Sequence, residues 1–302
     1  MVIIIGGTGY IGQQFVEELA RRNIETYNLS RKDEDYYDFG VLRSILETHR
    51  PDFLINCAGY TGKPNVDVCE LHKDETDRGN VSLPRIIAKA CELTGTPWGH
   101  VSSGCIYTGD NGGEGFTEED EPNFSFDHDN CSYYSGTKVL GEKVIQDVGG
   151  DYYIWRLRIP FDQYDSPRNY LSKMINYDKL LNATNSISHK GDFAKYCLAL
   201  WRKESEYGIY NIVNTGSVTT GQVAEKINKI LKLDKKFEFF DNEKEMYKFA
   251  AKTPRSNCVL NNDKLKKAGV RVRSADKALD HALKNWKQEK SENSDIDESF
   301  WK

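Results

Sequence analysis

The N-terminal sequence reads Val2-Ile-Ile-Ile-Gly-Gly-Thr-Gly-Tyr-Ile-Gly12, and its β-branched run is typical of a strand buried on both faces. Gly6 permits a tight turn, Gly9 lets a phosphate approach the backbone, and Gly12 lets a helix pack closely against the strand. The helix that follows would present free N–H groups and the positive end of its dipole. The pattern predicts a dinucleotide site, with a plain turn as the alternative. The expected contacts are Gly6, Thr8, Gly9, Tyr10, Ile11 and Gly12.

Apolar runs and helical patterns alternate along the first half of the chain. The expected strands are Val2–Ile5, Ile24–Leu29, Phe53–Ala58, Gly99–Ser103 and Tyr152–Ile159. The expected helices are Gly12–Arg22, Val41–Thr48, Val81–Thr94 and Ser135–Val148. This alternation predicts right-handed βαβ crossovers and an α/β fold of the Rossmann type, with a doubly wound parallel sheet between layers of helices.

The second half of the chain is less regular and predicts a smaller C-terminal substrate-binding domain. We expect residues 1–164 to form the dinucleotide domain, a late strand near residues 207–213 to return to it, and residues 165–286 to form the smaller domain. The expected helices are Leu171–Tyr177, Asp192–Lys203, Gly221–Leu231, with Thr220 as its N-cap, and Ala275–Trp286. Residues 287–302 are charged and sparsely apolar, so we expect a flexible tail.

The composition disfavours several function classes. Among 302 residues, 41 Lys and Arg stand against 46 Asp and Glu, so no basic excess favours a nucleic-acid partner. The 7 cysteines are odd in number and form no Cys-x-x-Cys pair, which disfavours a disulfide framework and a zinc ribbon. The opening strand leaves no room for a signal peptide, and no apolar run reaches membrane-spanning length. We therefore expect a cytoplasmic protein, in a reducing compartment, without metal, nucleic-acid or membrane partners.

The residues after the second expected strand indicate which dinucleotide binds. NAD-specific folds usually place an acidic residue there, on the ribose 2′-hydroxyl. This chain has Ser30, Arg31 and Lys32 instead, and a hydroxyl with two cations suits a 2′-phosphate. We therefore predict NADPH, with Ser30 and Arg31 as contacts. The alternative is that Arg31 and Lys32 are solvated loop charges.

A tyrosine and a lysine lie four residues apart in Tyr134-Ser-Gly-Thr-Lys138, so they share a helix face. An ammonium group beside a phenol lowers the phenol's pKa, and such a tyrosine can protonate a carbonyl oxygen during hydride transfer. Tyr133 lies five residues before Lys138 and is off that face. The pair also follows a strand that ends at Ser103, which makes a chance match less plausible.

Taken together, Gly6/Gly9/Gly12, Asn56-Cys-Ala-Gly59, Ser103 and Tyr134/Lys138 resemble the extended short-chain dehydrogenase/reductase superfamily over roughly residues 1–286. Several narrower stretches resemble the nucleotide-rhamnose synthase family, the UDP-4-keto-6-deoxy-glucose 3,5-epimerase/4-reductases. These stretches are Thr61–Glu70, Gly104–Tyr107, Phe116–Phe124, Pro167–Tyr170 and Pro254–Asn257.

The resemblance implies a role for each matched residue. Ser103 and Tyr134 would hold the C4 carbonyl oxygen of the sugar, and Lys138 would bind the nicotinamide ribose. Ala58 and Gly59 would line the cofactor cleft, with Asn80 near them. The residue-level alternatives are that Ser103 ends a strand and that Asn80 begins a helix.

The resemblance also implies groups for epimerisation. Cys105, two residues after Ser103, matches a cysteine that GDP-fucose synthase uses to invert carbon centres; a buried structural cysteine is the alternative. Lys173 matches the position of that enzyme's histidine, and it can act as a base if burial or another cation lowers its pKa. A solvated lysine is the alternative there, and His189 is a weaker candidate for the same role.

The implied reaction converts UDP-4-keto-6-deoxy-D-glucose to UDP-L-rhamnose, by 3,5-epimerisation followed by NADPH-dependent 4-reduction. The expected contacts to the sugar nucleotide are Lys63, Asn65, Asn169 and Arg255. An upstream 4,6-dehydratase would supply the substrate, and a homodimer is possible. The alternatives are a single-function dTDP- or UDP-4-dehydrorhamnose 4-reductase, and a non-enzymatic NADPH-binding subunit.

Overall fold

The computed structural model describes residues 1–63 and 65–288. Its strands are β1 Val2–Ile5, β2 Thr26–Leu29, β3 Phe53–Asn56, β4 Trp98–Ser103, β5 Tyr152–Leu157, β6 Pro160–Phe161, β7 Tyr164–Asp165, β8 Lys179–Leu181, β9 Thr184–Asn185, β10 Ser188–His189, β11 Gly208–Asn211, β12 Val218–Thr219, β13 Glu238–Phe240 and β14 Lys287–Gln288. Six of them form one parallel sheet in the order β11-β5-β4-β3-β1-β2. This sheet confirms the predicted fold class.

The helices cover both faces of the sheet and build the region beyond it. They are α1 Gly12–Arg21, α2 Phe39–His49, α3 Lys73–Asp77, α4 Leu83–Thr94, α5 Tyr133–Val148, α6 Tyr170–Asn176, α7 Lys190–Arg202, α8 Thr220–Leu231, α9 Glu243–Phe249, α10 Asp263–Lys267 and α11 Ala275–Lys284. A π-helical turn, Arg78–Ser82, precedes α4, and short 3₁₀ turns span Val66–Glu70, Gly104–Ile106, Asn111–Gly113 and Phe126–His128.

Alternate residues of β1 serve two hydrophobic cores, one on each face of the sheet. Val2 and Ile4 pack in the core formed with α1 and α7, while Ile3 and Ile5 pack in the core formed with α2, α4 and α5. All four are fully buried, as the apolar run predicts. A third core joins α6, α8 and α11 around Phe161. The sheet is therefore buried between helices on both of its faces.

Several local predictions were wrong. The N-cap of α8 is Thr219, whose hydroxyl accepts from the Gln222 N–H in a capping box, and Thr220 is already helical. The region before α4 is a π-turn rather than continuous helix. The expected flexible tail does not begin at residue 287, because Lys287–Gln288 pairs in parallel with Tyr164–Asp165. The rest of that tail lies outside the described residues.

The division into domains at residues 164 and 165 stays a prediction. Strand β11 pairs with β5 at the edge of the central sheet. Within residues 1–63 and 65–288, none of the helices combines the length and the apolar composition needed to cross a bilayer.

Candidate active site

The candidate site lies at the carboxyl edge of the central sheet. Ligands of open α/β sheets bind at this edge, where successive crossovers leave on opposite faces. The turns that follow β1 to β4 carry, in order, the glycine loop, Ser30 and Arg31, Ala58 and Gly59, and Cys105. The parallel topology therefore brings together segments that are far apart in sequence.

The turn between β1 and α1 fits a cofactor diphosphate. Gly6 has φ +78°, and a Cβ there would stand 2.7 Å from the backbone nitrogen of Ala58. A Cβ on Gly12 would overlap the carbonyl oxygen of Gly6, so helix and strand touch backbone to backbone. Helix α1 has no side-chain cap and no acidic residue in its first turn. Its N–H groups therefore meet no competing side-chain oxygen.

The other predicted loop contacts surround this turn. The carbonyl of Thr8 accepts from the Gln13 side chain at 3.2 Å, and Ile11 occupies the N-cap position of α1. The Lys190 ammonium lies 3.6 Å from the centroid of the Tyr10 ring. Because Lys190 is the first residue of α7, Tyr10 connects the glycine loop to the second half of the chain.

Asn80 lies near the cleft but its side chain is occupied. Its Oδ1 accepts from the Tyr60 N–H at 2.8 Å, and its Nδ2 donates to the Tyr60 carbonyl at 2.9 Å and to the Thr137 hydroxyl at 3.2 Å. Asn80 therefore clamps the segment containing Ala58 and Gly59 against α5 and makes no free donor toward a cofactor. The sequence predicts that Asn80 lies near the cofactor cleft. Its hydrogen bonds show that the side chain supports the segment containing Ala58 and Gly59.

Two guanidinium groups contact the ring of Tyr37 beside β2. The Arg31 and Arg78 carbons Cζ lie 5.6 and 4.4 Å from the ring centroid. Ser30 closes the same loop, since its hydroxyl accepts from the Lys32 N–H at 3.1 Å. Arg78 was missed by sequence reasoning, because it lies at the start of the π-turn and no local motif marks it. Together the two arginines form a cationic patch one strand away from the glycine loop.

Ser103 and Cys105 lie on one turn at the end of β4. The Cys105 N–H donates to the Ser103 hydroxyl at 3.2 Å, and Cys105, within the turn Gly104–Ile106, is 7% exposed. Burial raises the pKa of the Cys105 thiol, while hydrogen bonds with Ser103 and Ser135 and the charges of Arg158 and Lys138 oppose that rise. The thiol is thus a proton-bearing group surrounded by polar partners.

Tyr134 faces the same turn from α5. Its phenol hydrogen-bonds with Ser103, and burial raises its pKa well above the usual range, assisted by Cys105 and Cys69 and opposed by Arg158. The shift is opposite to the one expected from the Tyr–Lys spacing, because desolvation of the phenolate outweighs the Ser103 hydrogen bond and the charge of Arg158. Tyr133 points elsewhere and donates to the Asp77 carboxylate at 2.8 Å.

Lys138 is buried one turn along α5. Its ammonium donates to the Val101 carbonyl at 3.2 Å and lies 3.4 Å from Nε2 of His100. Burial lowers the pKa of Lys138, while Cys105 and Glu142 oppose the fall. His100 was not identified from the sequence, because a histidine inside a buried strand carries no local signal.

Lys173, on α6, interacts with two other cations. Burial lowers its pKa, and the charges of Arg168 and Arg255 lower it further. This is the direction that sequence reasoning required for a lysine base. Arg255 itself forms an ion pair with Asp67 at 2.8 Å and donates to the Thr253 hydroxyl at 2.7 Å. The Asp67 carboxylate therefore already balances part of the positive charge that Arg255 would offer to a substrate diphosphate.

Two expected substrate contacts, Asn169 and Asn65, make hydrogen bonds that hold local structure; their contact with substrate stays a prediction. Asn169 is fully buried, its Oδ1 caps α6 through the Leu171 N–H, and its Nδ2 donates to Asp162 and to the Tyr164 carbonyl. Asn65 caps the turn Val66–Glu70 by accepting from the Asp67 N–H at 2.8 Å. Asn169 therefore cannot reach a ligand without giving up its helix cap.

Lys63 and His189 complete the predicted set. Lys63 is exposed on the segment before the turn Val66–Glu70. His189 is buried at the N-cap of α7, where its Nδ1 accepts from the Asp192 N–H. Burial lowers its pKa to about 4. His189 is thus a neutral capping residue rather than a partner of the Cys105 turn.

Arg158, which follows β5, is a buried cation that sequence reasoning missed. Its Nη2 donates to Asn185 Oδ1 at 2.7 Å and to the Ser256 carbonyl, while its Nε has no hydrogen-bond partner. Ser256 and Cys258 in turn bond to the carbonyls of Tyr107 and Gly104, on either side of Cys105. The Arg158 guanidinium is therefore hydrogen-bonded to the segment that holds the turn Gly104–Ile106.

The geometry gives one region a proton-bearing phenol and thiol, a serine hydroxyl, buried cations and an adjoining diphosphate turn. A family model described as the RmlD substrate binding domain matches residues 1–288. The chain belongs to the RmlD substrate-binding family.

Named relatives agree with this membership, and solved structures share the fold. A bifunctional dTDP-4-dehydrorhamnose 3,5-epimerase/dTDP-4-dehydrorhamnose reductase of Arabidopsis thaliana is 31% identical over 271 residues, which cover 87% of this chain and 86% of that protein. A UDP-rhamnose synthase of Acanthamoeba polyphaga mimivirus has a TM-score of 0.84 at 22% identity, covering 94% of this chain and 98% of that one. A dTDP-4-dehydrorhamnose reductase of Bacillus anthracis, in complex with NADP, has a TM-score of 0.79 at 23% identity, covering 93% and 98%.

Longer relatives match as well. A trifunctional UDP-glucose 4,6-dehydratase/UDP-4-keto-6-deoxy-D-glucose 3,5-epimerase/UDP-4-keto-L-rhamnose-reductase of Arabidopsis thaliana is 30% identical over 272 residues. The match covers 88% of this chain but 39% of that protein's length.

Proposed function

We propose that this chain is an NADPH-dependent nucleotide-sugar reductase that also epimerises its substrate, converting UDP-4-keto-6-deoxy-D-glucose to UDP-L-rhamnose. The observation that carries the proposal is the convergence of Ser103, Tyr134 and Cys105 at the end of β4. The first two can hold a carbonyl oxygen, and the third adds an acid that simple reduction does not need. Relatives named as reductases and as epimerase/reductases support the same reading.

For the reduction, Ser103 and Tyr134 hold the C4 carbonyl oxygen by hydrogen bonds. When bound, the nicotinamide supplies a hydride to C4. Tyr134 transfers its phenolic proton to the oxygen as the alcohol forms, and its raised pKa keeps that proton in place beforehand. Arg158 stabilises the phenolate that remains, because its charge lowers the pKa of Tyr134.

For the epimerisation, the ketone at C4 acidifies the protons at C3 and C5. Lys173, whose pKa is lowered, removes such a proton as the neutral amine. Ser103 and Tyr134 stabilise the enolate oxygen, and Cys105, whose pKa is raised, returns a proton from the opposite face. The two environments shift these groups in opposite directions, which is the arrangement expected of a base and an acid.

For the cofactor, the glycine loop holds the diphosphate, and Arg31 and Arg78 bind the 2′-phosphate that distinguishes NADPH from NADH. Guanidinium groups form charge-assisted hydrogen bonds with phosphate, and both lie on the ring of Tyr37. Ala58 and Gly59 line the cleft beside this loop, and Lys138 binds the nicotinamide ribose. The NADP complex of a structural neighbour supports this assignment.

The sugar ring lies between the turn Gly104–Ile106 and Lys173 on α6. Arg168 faces the diphosphate end of the sugar nucleotide, with Lys63 as a solvent-side contact. Arg255, which is paired with Asp67, contributes to the same end. A 4,6-dehydratase activity supplies the 4-keto substrate, as the name of the trifunctional relative suggests. We infer a protein of the cytoplasm, where such a dehydratase and NADPH are available.

Product analysis by NMR tests this proposal. The purified protein is incubated with NADPH and either the UDP- or the dTDP-linked 4-keto-6-deoxy-glucose. UDP-L-rhamnose as the main product supports the proposal. A product that retains the gluco configuration at C3 and C5, or NADPH consumption only with UDP-4-keto-L-rhamnose that has been epimerised beforehand, indicates a single-function reductase. The absence of NADPH consumption with all of these sugars indicates a non-enzymatic subunit.

A further inference from the structure

Two polar side chains, those of Asn56 and Lys138, contact the buried ring of His100. Nδ2 of Asn56 lies 3.0 Å from Nδ1 of the ring, and Nζ of Lys138 lies 3.4 Å from Nε2. His100 is 1% exposed, so the ring is enclosed between β3 and α5. A neutral imidazole has one N–H and one lone pair, so it cannot accept hydrogen bonds from both neighbours.

The orientation of Asn56 decides which ring nitrogen carries the proton. Oδ1 of Asn56 accepts from the Ala58 N–H at 3.0 Å, so its Nδ2 must face the ring. The ring therefore accepts at Nδ1 and carries its proton on Nε2. Burial and the neighbouring Lys138 lower the pKa of His100 well below its usual range, so the ring stays neutral.

An Nε2–H group then points at the Lys138 nitrogen. An ammonium group has no lone pair to accept this proton, whereas a neutral amine has one. The arrangement in the structure is therefore satisfied when Lys138 is neutral. Besides His100, the titratable groups that act on Lys138 are Cys105 and Glu142, which both favour its charged form.

Protonation of Lys138 requires the hydrogen bonds to reverse. An ammonium donates to Nε2, the ring proton moves to Nδ1, and Asn56 turns its amide so that Oδ1 accepts that proton. Nδ2 of Asn56 then faces the Ala58 N–H, which loses its acceptor. One proton has been taken up from solvent, and one backbone donor is released beside the glycine loop, where a Cβ on Gly6 would stand 2.7 Å from it.

We propose that His100 and Asn56 are positioning residues that couple the proton on Lys138 to the Ala58 N–H at the cofactor cleft. A ligand oxygen that accepts from this N–H would be bound together with one proton. The link to the cofactor rests on the proposed function, since it requires NADPH to occupy the cleft. The reversal of the hydrogen bonds around His100 does not depend on the proposed function.

The tautomer of His100 tests the proposal directly. The full chain is labelled with ¹⁵N-histidine, and the His100 signals are assigned from a His100→Asn variant. Between about pH 10 and about pH 6 the ring should change once from the Nε2–H to the Nδ1–H tautomer without becoming an imidazolium. Lys138→Met should hold the Nε2–H tautomer over the whole range, and Lys138→Gln serves the same purpose if the first variant does not fold.

The outcomes separate the proposal from the proposed function. A single tautomer throughout in the wild type, or a change that persists in both Lys138 variants, overturns the coupling whether or not NADPH binds. If the change occurs, added NADPH should move its midpoint to higher pH, and calorimetry in buffers of different ionisation enthalpy should show uptake of about one proton. A tautomer change that NADPH binding leaves unmoved contradicts the link to the cofactor cleft, and no NADPH binding at all contradicts the proposed function alone.

Discussion

The N–H of Cys105 donates to the hydroxyl of Ser103 at 3.2 Å, which holds these two residues together at the end of β4. Tyr134 reaches the same hydroxyl from α5. A ligand carbonyl held by Ser103 and Tyr134 would therefore place its neighbouring carbons near the thiol. The predictions that follow test this shared geometry.

Replacing Tyr134 by phenylalanine should lower kcat of reduction by about 10²–10⁴-fold, because the proton donor to the C4 oxygen is removed. NADPH binding, followed by fluorescence, should be nearly unchanged. Tyr133→Phe is the matched control, since the neighbouring phenol donates to Asp77 and faces away from the turn. Equal losses in the two variants would contradict the assignment of Tyr134.

Removing the acid or the base of the epimerisation should separate it from reduction. Cys105→Ala and Lys173→Arg should each slow hydrogen–deuterium exchange at C3, C5 or both by about 10²–10⁴-fold. Cys105→Ala should still reduce UDP-4-keto-L-rhamnose that has been epimerised beforehand, as followed by NADPH absorbance. If a variant exchanges at the wild-type rate, the substituted residue takes no part in epimerisation and has a structural role only.

The pH dependence of hydrogen–deuterium exchange at C3 and C5 should reflect the lowered pKa of Lys173 and the raised pKa of Cys105. Because the pKa of Lys173 is lowered, the neutral amine becomes available as pH rises toward a value below the usual range for lysine, and exchange rises with it. Lys173→Arg should abolish this rising limb, because arginine stays charged throughout. A rising limb that survives in the arginine variant would assign it to another group.

Arg158→Gln should raise the pKa of Cys105, because the guanidinium favours the thiolate and glutamine carries no charge. If Cys105 acts as the thiol, the limb on which exchange falls at high pH should move to higher pH. Arg158→Lys keeps the charge and should leave that limb near its wild-type position. Identical profiles for the two variants would indicate that Arg158 acts only through its bonds to Asn185 and Ser256.

Arg78→Leu should raise KM for NADPH by about 10- to 100-fold, since a hydrogen bond to a charged group contributes about 1.5–3 kcal/mol. KM for NADH should change little, because that cofactor lacks the 2′-phosphate. Arg43→Leu is a suitable control, because this exposed arginine pairs with Glu47 on α2. A parallel rise for both cofactors would place Arg78 outside the 2′-phosphate site.

The sequence was sufficient for the parts of the molecule that local patterns determine. The apolar run of β1, the glycines after it and the alternation of strands and helices predict a doubly wound sheet, and the parallel topology then puts the strand-end residues at one edge. The pairing of Ser103 with Tyr134 follows instead from the resemblance to the extended short-chain dehydrogenase/reductase superfamily.

The remaining features depend on contacts between distant segments. Arg78 meets Arg31 on the Tyr37 ring only because the π-turn lies beside the loop after β2. Asn169 looks like a ligand contact in sequence, but the turn at Asp162 and Tyr164 occupies its amide. The rise in the pKa of Tyr134 also depends on burial, which the spacing of Tyr134 and Lys138 does not report.

The most direct test of the central claim is the position of deuterium in the product. The wild-type protein is incubated in deuterated water with UDP-4-keto-6-deoxy-D-glucose and unlabelled NADPH, and the product is examined by NMR. The account predicts UDP-L-rhamnose with deuterium at C3 and C5 and hydrogen at C4, because the first two carbons exchange with solvent and the third receives hydride. A reduced sugar with hydrogen at C3 and C5 would contradict it.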